Sequence, residues 1–150
     1  MTSAQQAINE VLIARLKGAN ALWGERVQPL TVASAQLAAG ENGERQSYVV
    51  FFPADNRRAK TNPSRRIHEL MMNVKGVAGE MADALAISDA ITELLHDCGE
   101  LDANPALVTH PTWRVKTVTE GRQIYIEEPI TAVGSVFHAG HQYEIVMEER

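Results

Sequence analysis

Apolar residues near the N-terminus recur at the spacing of one helical face. They are Ala4, Ile8, Val11, Leu12 and Leu16. Ser3 and Gln6 have the spacing of a capping box at the start of this run, and Lys17-Gly18 supplies a positive charge and a stop at its end. The pattern predicts a helix that packs one face on a sheet. Trp23 follows soon after, and we expect it to anchor the core or an interface.

A second apolar stripe predicts a helix from Glu80 to Asp97. Its members are Ala84, Ile87, Ile91, Leu94, Leu95 and Cys98. Glu80 and Asp83 lie near its N-terminal end, where the helix dipole favours negative charge, and Gly99 is predicted to stop it. Cys98, at the end of the stripe, is expected to be a small buried apolar residue.

A long hairpin arm is predicted in the middle of the chain. The run from Ser47 to Pro53 has the aromatic and β-branched residues of a buried strand. The segment from His68 to Ala78 fits two patterns: some of its apolar residues repeat as in a helix, whereas others alternate as in a strand, namely Leu70, Met72, Val74 and Gly76. Glycines weaken the helical alternative. We therefore predict a strand from His68 to Ala78 that pairs antiparallel with Ser47 to Pro53.

The C-terminal part of the chain reads as antiparallel β structure. Three strands are predicted there: Trp113 to Thr119, Gln123 to Glu128 and Gln142 to Glu148. Glu120-Gly121-Arg122 predicts a tight hairpin between the first two strands, and Thr131 to His141 is expected to link the last two.

Together these elements predict one α+β domain over residues 1–150. The expected architecture is a mostly antiparallel β-sheet with two α-helices packed on one face and the long β-hairpin arm. Val27 to Ala39 fits neither period and is expected to form a short strand or an irregular segment. Glu41 to Glu44 contains Asn-Gly and predicts a turn.

The charge is unevenly distributed along the chain. The net charge of -5 gives no overall reason to expect nucleic-acid binding, yet five of the 14 Lys and Arg residues lie in the hairpin tip: Arg57, Arg58, Lys60, Arg65 and Arg66. The C-terminal region is acidic through Glu127, Glu128, Glu144, Glu148 and Glu149. Two interpretations remain open: contacts between copies of the chain, or solvated surface charge. Aromatic residues that could stack on bases are missing from Asp55 to Glu69, which argues against a single-strand binding site.

Cysteine content and apolar runs predict the compartment. Cys98 is the only cysteine, so an internal disulfide is impossible and a reducing compartment fits best. The N-terminal residues lack the charged leader and apolar core of a signal peptide. No apolar run approaches the ~20 residues that span a bilayer. We expect a soluble protein that is cytoplasmic when made.

Catalytic and metal-binding motifs give no strong candidate. Glycine-rich phosphate loops, nucleophile elbows and paired metal-ligand motifs are absent from the sequence. His138 and His141 have an HxxH spacing, but a metal would need further ligands from Glu144 or His110. His96-Asp97-Cys98 places a nucleophile beside a base in sequence, but consecutive helical residues do not face one another. We therefore assign no catalytic residue, cofactor or metal, and expect that the protein is not an enzyme.

The order of the elements resembles that of the tail terminator, or minor tail, proteins of long-tailed bacteriophages. The likeness extends over nearly the whole chain in pattern, although no single motif is diagnostic. The segments that carry it are Ile8 to Leu16, Ser47 to Phe51, Met72 to Val74, Ala84 to Leu95 and Tyr143 to Met147. The chain departs from the usual pattern in its long basic insertion and in Ser47, where a proline often precedes the Tyr-Val-Val run.

The resemblance implies a structural role without a cofactor. Such proteins assemble as a hexameric ring on the head-proximal end of the tail tube, end its polymerisation and form the head-tail joining surface. The implied partners are further copies of the chain, the tail tube protein and the head-tail connector protein, with non-specific contact to passing duplex DNA and none to a membrane. The implied location is the tail of the virion, after synthesis in the host cytoplasm.

The hairpin tip is the predicted functional site. Our hypothesis is that Arg57, Arg58, Lys60, Arg65 and Arg66 lie at a subunit or tail-tube interface, or line the ring opening through which DNA passes. A neck or head-tail connector component is the nearest alternative. A small nucleic-acid-binding module that uses residues 57–66 is the next, and it predicts a salt-dependent affinity for DNA. A small hydrolase is the least favoured.

Overall fold

The computed structural model describes residues 3–29, 38–39, 45–54, 60–62, 67–102, 110–130 and 134–150. The elements in these ranges are, in chain order, α1 Ala4–Leu16, β1 Val27–Pro29, β2 Ala38–Ala39, β3 Arg45–Gln46, β4 Tyr48–Pro53, β5 Lys60–Asn62, β6 Ile67–Ala78, α2 Met81–Leu95, β7 Trp113–Ile130 and β8 Gly134–Glu149. Neither described helix is long and apolar enough to cross a membrane.

The main sheet has the strand order β1-β4-β6-β8-β7, and β5 pairs with β6 beyond the end of β4. Its pairs are antiparallel, except that β1 lies parallel to β4. This arrangement confirms the predicted α+β class. The predicted pairing of the arm is also confirmed, because β4 and β6 pair from Tyr48 opposite Val77 to Pro53 opposite Met72.

The two-stranded ribbon of β2 and β3 brackets the turn that was predicted at Glu41 to Glu44. Ala38 pairs with Gln46, and Ala39 with Arg45. The turn itself lies outside the described residues.

Helix α1 begins and ends where its sequence signals lie. The Ser3 hydroxyl oxygen accepts the backbone N–H of Gln6 at 3.1 Å, and Gly18 follows the helix with φ 74°. The apolar face that was predicted is buried. Trp23 is fully buried, and its indole Nε1 donates to the carbonyl of Leu16 at 2.7 Å, which confirms it as a core anchor.

Helix α2 has the predicted buried stripe but a different stop. Asp97, with φ 53°, is the left-handed residue after the helix, so the prediction that Gly99 stops it is wrong. Gly99 instead allows close approach of the following segment to β7, since a Cβ there would lie 2.5 Å from the Lys116 carbonyl oxygen.

Both helices pack on the same face of the sheet. Alternate residues of the three central strands form that face: Val49 and Phe51 of β4, Met72 and Val74 of β6, and Tyr143, Ile145 and Met147 of β8. They share one core cluster with the buried residues of α1 and α2. A smaller apolar cluster lies on the opposite face and consists of Tyr48, Val50, Val77 and Val136.

The prediction of a hairpin at Glu120-Gly121-Arg122 is wrong. Strand β7 runs through this triplet and pairs with β8 on both sides, with Glu120 opposite Tyr143 and Gln123 opposite His141. Three steps along β7 therefore match two along β8, which is a β-bulge. A polar triplet with a central glycine suits a bulge as well as a turn, and pairing with the distant strand decides between them.

The prediction that Thr131 to His141 links two strands is also wrong for most of its length. Strand β8 begins at Gly134. The first residues of the predicted link, 131–133, lie outside the described residues. Gly140 was read as part of the link, but it lies within β8 against β6. A Cβ at Gly140 would collide with the Val74 carbonyl oxygen, so its glycine allows the two backbones to meet closely.

Candidate assembly surface

Most of the predicted basic site lies outside the described residues. Arg57, Arg58, Arg65 and Arg66 belong to that part of the chain. Lys60 is the first residue of β5 and pairs with Glu69 of β6, at the end of the sheet beyond β4. An interface at this basic tip therefore stays a prediction.

The acidic C-terminal residues do not form one patch. Glu128 lies near the C-terminal end of β7, where its Oε2 is 2.9 Å from Nε2 of His138. Glu148 lies at the other end of the β7–β8 pair, where its Oε2 is 3.3 Å from Nζ of Lys116. Because the two carboxylates lie at opposite ends of a long pair of strands, they cannot serve one contact.

The outer edge of β7 is covered along its first half by the segment that follows α2. Three backbone N–H groups of that segment donate to β7 carbonyls: Asp97 to Val118 at 3.1 Å, Glu100 to Val115 at 2.9 Å and Leu101 to Lys116 at 2.8 Å. The Asp102 carboxylate accepts the N–H of Val118 at 3.0 Å and that of Gly99 at 2.8 Å. The chain therefore satisfies this part of the edge itself.

The second half of the same edge is open. From Arg122 to Glu128, no described residue hydrogen-bonds to the side of β7 that faces away from β8. Tyr125 is 55% exposed and Ile126 is 45% exposed. Tyr125 pairs with Ala139 of the helix-side core and Ile126 with His138 of the other face, so both faces beside this edge are uncovered. We call residues 122–128 the β7 open edge.

A shallow groove of about 310 Å³ borders the β7 open edge. Its lining includes Phe52, Asn73, Lys75 and Arg122. The Lys75 ammonium lies 5.1 Å from the centre of the Phe52 ring, in cation–π contact. Burial lowers the pKa of Lys75, and the nearby carboxylate of Glu128 partly offsets that effect. The side-chain oxygen of Asn73 is buried without a hydrogen-bond partner in the described part of the structure. The groove therefore combines a buried ammonium, an aromatic ring and an amide oxygen that lacks a described partner.

The two histidines of the HxxH spacing lie on opposite faces of β8. Burial, and then the Lys75 charge, lower the pKa of His138, whose Nδ1 has no described partner. His141 instead lies on the helix side, with Nε2 2.9 Å from Oε1 of Glu120. Residues three apart on a strand point in opposite directions, so the pair cannot share a metal. The described residues contain no group of three or more His, Cys, Asp or Glu that could hold one.

Cys98 lies in an environment that does not activate a thiol. Its side chain is 4% exposed, and burial raises its pKa to about 11. The neighbouring imidazole of His96 contacts the carboxylate of Asp97 at 3.2 Å. The reactive form of cysteine is the thiolate, and a pKa of about 11 keeps Cys98 protonated near neutral pH.

The β7 open edge is not among the features that the sequence patterns predict. Gln123 to Glu128 was predicted as a strand, but the hairpin expected at Glu120-Gly121-Arg122 would have paired it with Trp113 to Thr119. The signal in the sequence is the adjacency of Tyr125 and Ile126, because consecutive strand residues face opposite sides and two exposed apolar neighbours are typical of an uncovered edge.

One comparison with known proteins gives a match. No family model and no curated protein matches the sequence. A similar fold is found in a chain of a solved structure described as the virion of a native gene transfer agent particle. The two chains superpose with a TM-score of 0.58, share 19% sequence identity, and are each covered over 95% of their length. The likeness therefore extends over the whole α+β fold rather than one motif.

Proposed function

We propose that this protein is a structural component of a phage-like virion. The observation that carries the proposal is the fold shared with a chain of the gene transfer agent virion over 95% of both lengths. The match covers both chains almost completely, without a large unmatched domain in either. Such a match is more typical of two proteins with the same structural role than of unrelated proteins that share one domain. The proposed role is non-enzymatic, requires no cofactor and is carried out within the virion.

We further propose that it acts as a tail terminator, a hexameric ring on the head-proximal end of the tail tube. The order of elements that resembles this family supports the finer assignment. A ring needs two different complementary surfaces on each subunit. The basic residues between 57 and 66 and the carboxylates near the C-terminal end of β7 are candidates, because they are oppositely charged and lie in different parts of the chain.

The five basic residues have a specific place in this proposal. Arg57, Arg58, Lys60, Arg65 and Arg66 form a subunit or tail-tube interface, or line the opening through which DNA passes. Both options use the same property, a concentration of positive charge in a chain whose net charge is -5. Contact with DNA in the opening would be with phosphates and independent of sequence.

The test measures tube growth and subunit number together. Purified protein is mixed with the tail tube protein of the same virion, and the products are examined by light scattering and electron microscopy. We expect short tubes, each capped at one end by a ring. Replacing the five basic residues by Ser should leave the circular dichroism spectrum unchanged and abolish capping. The control changes Lys17→Ser and Arg114→Ser, at exposed sites elsewhere, should leave both the spectrum and the capping unchanged.

Two other outcomes would contradict the tail-terminator assignment. Binding to the connector protein but not to the tail tube protein would identify a neck component instead. A monomer that binds neither protein, even at high concentration, would refute the structural role as a whole.

A further inference from the structure

Within the described part of the structure, the β7 open edge presents backbone groups without a hydrogen-bond partner along its seven residues. Alternate residues of an edge strand point their N–H and C=O groups away from the sheet, and such an edge is a template for another strand. Natural edges are commonly protected by charges, proline or a covering segment. Here the described covering segment reaches along β7 only as far as Val118. The centre of the open edge, Ile124-Tyr125-Ile126, carries no charge.

The sequence of this edge is complementary to itself. If a second copy lies antiparallel with Tyr125 opposite Tyr125, the other opposed pairs are Arg122 with Glu128, Gln123 with Glu127, and Ile124 with Ile126. Opposed residues lie on the same face of a sheet. The pairing therefore places a charged pair at each end and apolar pairs in the middle.

The charges select this register over its neighbours. Registers that keep the faces matched differ by two residues. A shift of two in one direction opposes Arg122 to Ile126, and a shift in the other direction opposes Glu128 to Ile124, so either shift breaks both charged pairs. In the favoured register Pro129, which has no N–H to donate, falls beyond the last charged pair, opposite Gly121.

We propose that the β7 open edge binds the same edge of a second copy of this chain, so that two sheets join across a twofold axis at Tyr125. The contact is isologous, and a ring requires heterologous contacts, so this surface is additional to any ring interface. The inference therefore does not rest on the proposed function. A seven-residue strand edge is smaller than the roughly 800 Å² per partner of a standard interface, so the dimer is weak and depends on concentration.

A charge swap tests the register. Dimer formation is followed by analytical ultracentrifugation over a concentration series. Arg122→Glu turns two attractive pairs per dimer into repulsive ones, and we expect the dissociation constant to rise about tenfold. Adding Glu128→Arg restores opposite charges and should recover the dimer. The control Arg114→Glu changes an exposed charge on the covered half of β7 and should have no effect.

Cross-linking tests the twofold axis directly. In the Tyr125→Cys variant, two introduced thiols lie opposite each other, and a short bismaleimide should join the chains. The native Cys98 is buried and stays unmodified. Arg114→Cys is the matched control and should give no covalent dimer. Equal cross-linking of both variants, or no recovery in the charge-swapped double variant, overturns the inference. Rings that cap tubes without cross-linking at position 125 would overturn the edge-to-edge dimer and leave the proposed function intact. A dimer cross-linked at position 125 that binds no tail protein would support the edge-to-edge contact and contradict the proposed function.

Discussion

Helix α2 lies so close to β6 that Gly76 has no room for a side chain. A Cβ at Gly76 would collide with Cβ and Cγ2 of Ile87. Ile87 is 1% exposed and cannot swing into solvent, so Gly76→Ala must push the helix away from the sheet. Overpacking of this kind costs about 1–3 kcal/mol of unfolding free energy. For a chain of this size, each kcal/mol lowers the melting temperature by about 2–4 °C.

A double-mutant cycle isolates the collision. Ile87→Ala alone empties a buried site and should cost about 2–5 kcal/mol. In that background the contact with Cγ2 disappears and only the 2.6 Å contact with the Cβ of position 87 remains, which the helix relieves by a smaller shift into the vacated space. The double variant should therefore lose at least about 1 kcal/mol less than the sum of the single losses. Gly79→Ala is the control, since a Cβ there meets nothing within 4 Å and the change should stay within about 0.5 kcal/mol.

Urea unfolding followed by far-ultraviolet circular dichroism measures the four proteins of the cycle and the Gly79→Ala control. The slope of free energy against urea should be the same in each, so that midpoint shifts report stability alone. Additive losses at positions 76 and 87, within about 0.5 kcal/mol, would refute the close approach of α2 to β6.

Two further predictions concern the cover of β7 and the buried imidazole of His138. Asp102→Ala removes the acceptor of the Gly99 and Val118 N–H groups. The free energy of unfolding should fall by about 2 kcal/mol, and hydrogen exchange at Val118 should accelerate. Unchanged exchange would contradict the role of Asp102 in covering the edge of β7. Burial lowers the pKa of His138 below its ordinary 6.5, so the unfolded chain takes up that proton first and stability is lost as the pH falls below 6.5. His138→Gln should lose less on acidification, and an equal loss would count against the buried neutral imidazole.

Local patterns predicted the elements whose burial is periodic. The alternation in β6 was correct because that strand is central, with one face on the helices, and the stripe of α2 was correct for the same reason. The Ser3 cap and the Trp23 anchor also depend on nearby residues. These features could be predicted because the information that determines them lies within a few positions in sequence.

The errors occurred where distant pairing decides the structure. Glu120-Gly121-Arg122 and Gly140 each suggested a turn or link, and each is part of a strand whose course is determined by its partner on the other side. The adjacency of Tyr125 and Ile126 is the one local signal of the β7 open edge, and it does not distinguish an uncovered edge from a strand buried on both faces, because which strand lies at the edge of a sheet is a property of the topology. The split of the acidic residues between two ends of the β7–β8 pair follows from the same topology.

The bulge at Glu120 to Gln123 separates two parts of β7 that can change length independently. Before it, the strand is fixed in register by the covering segment and by the core. After it, β8 is the strand's only hydrogen-bonded neighbour among the described residues. Two residues added to each strand beyond the bulge would lengthen the hairpin by about 7 Å and keep every side chain on its present face. One residue added to each would exchange the faces and place Tyr125 and Ile126 on the wrong sides. The part of the β7–β8 pair beyond the bulge is therefore the region in which the length of the strands can be changed without redesigning the core.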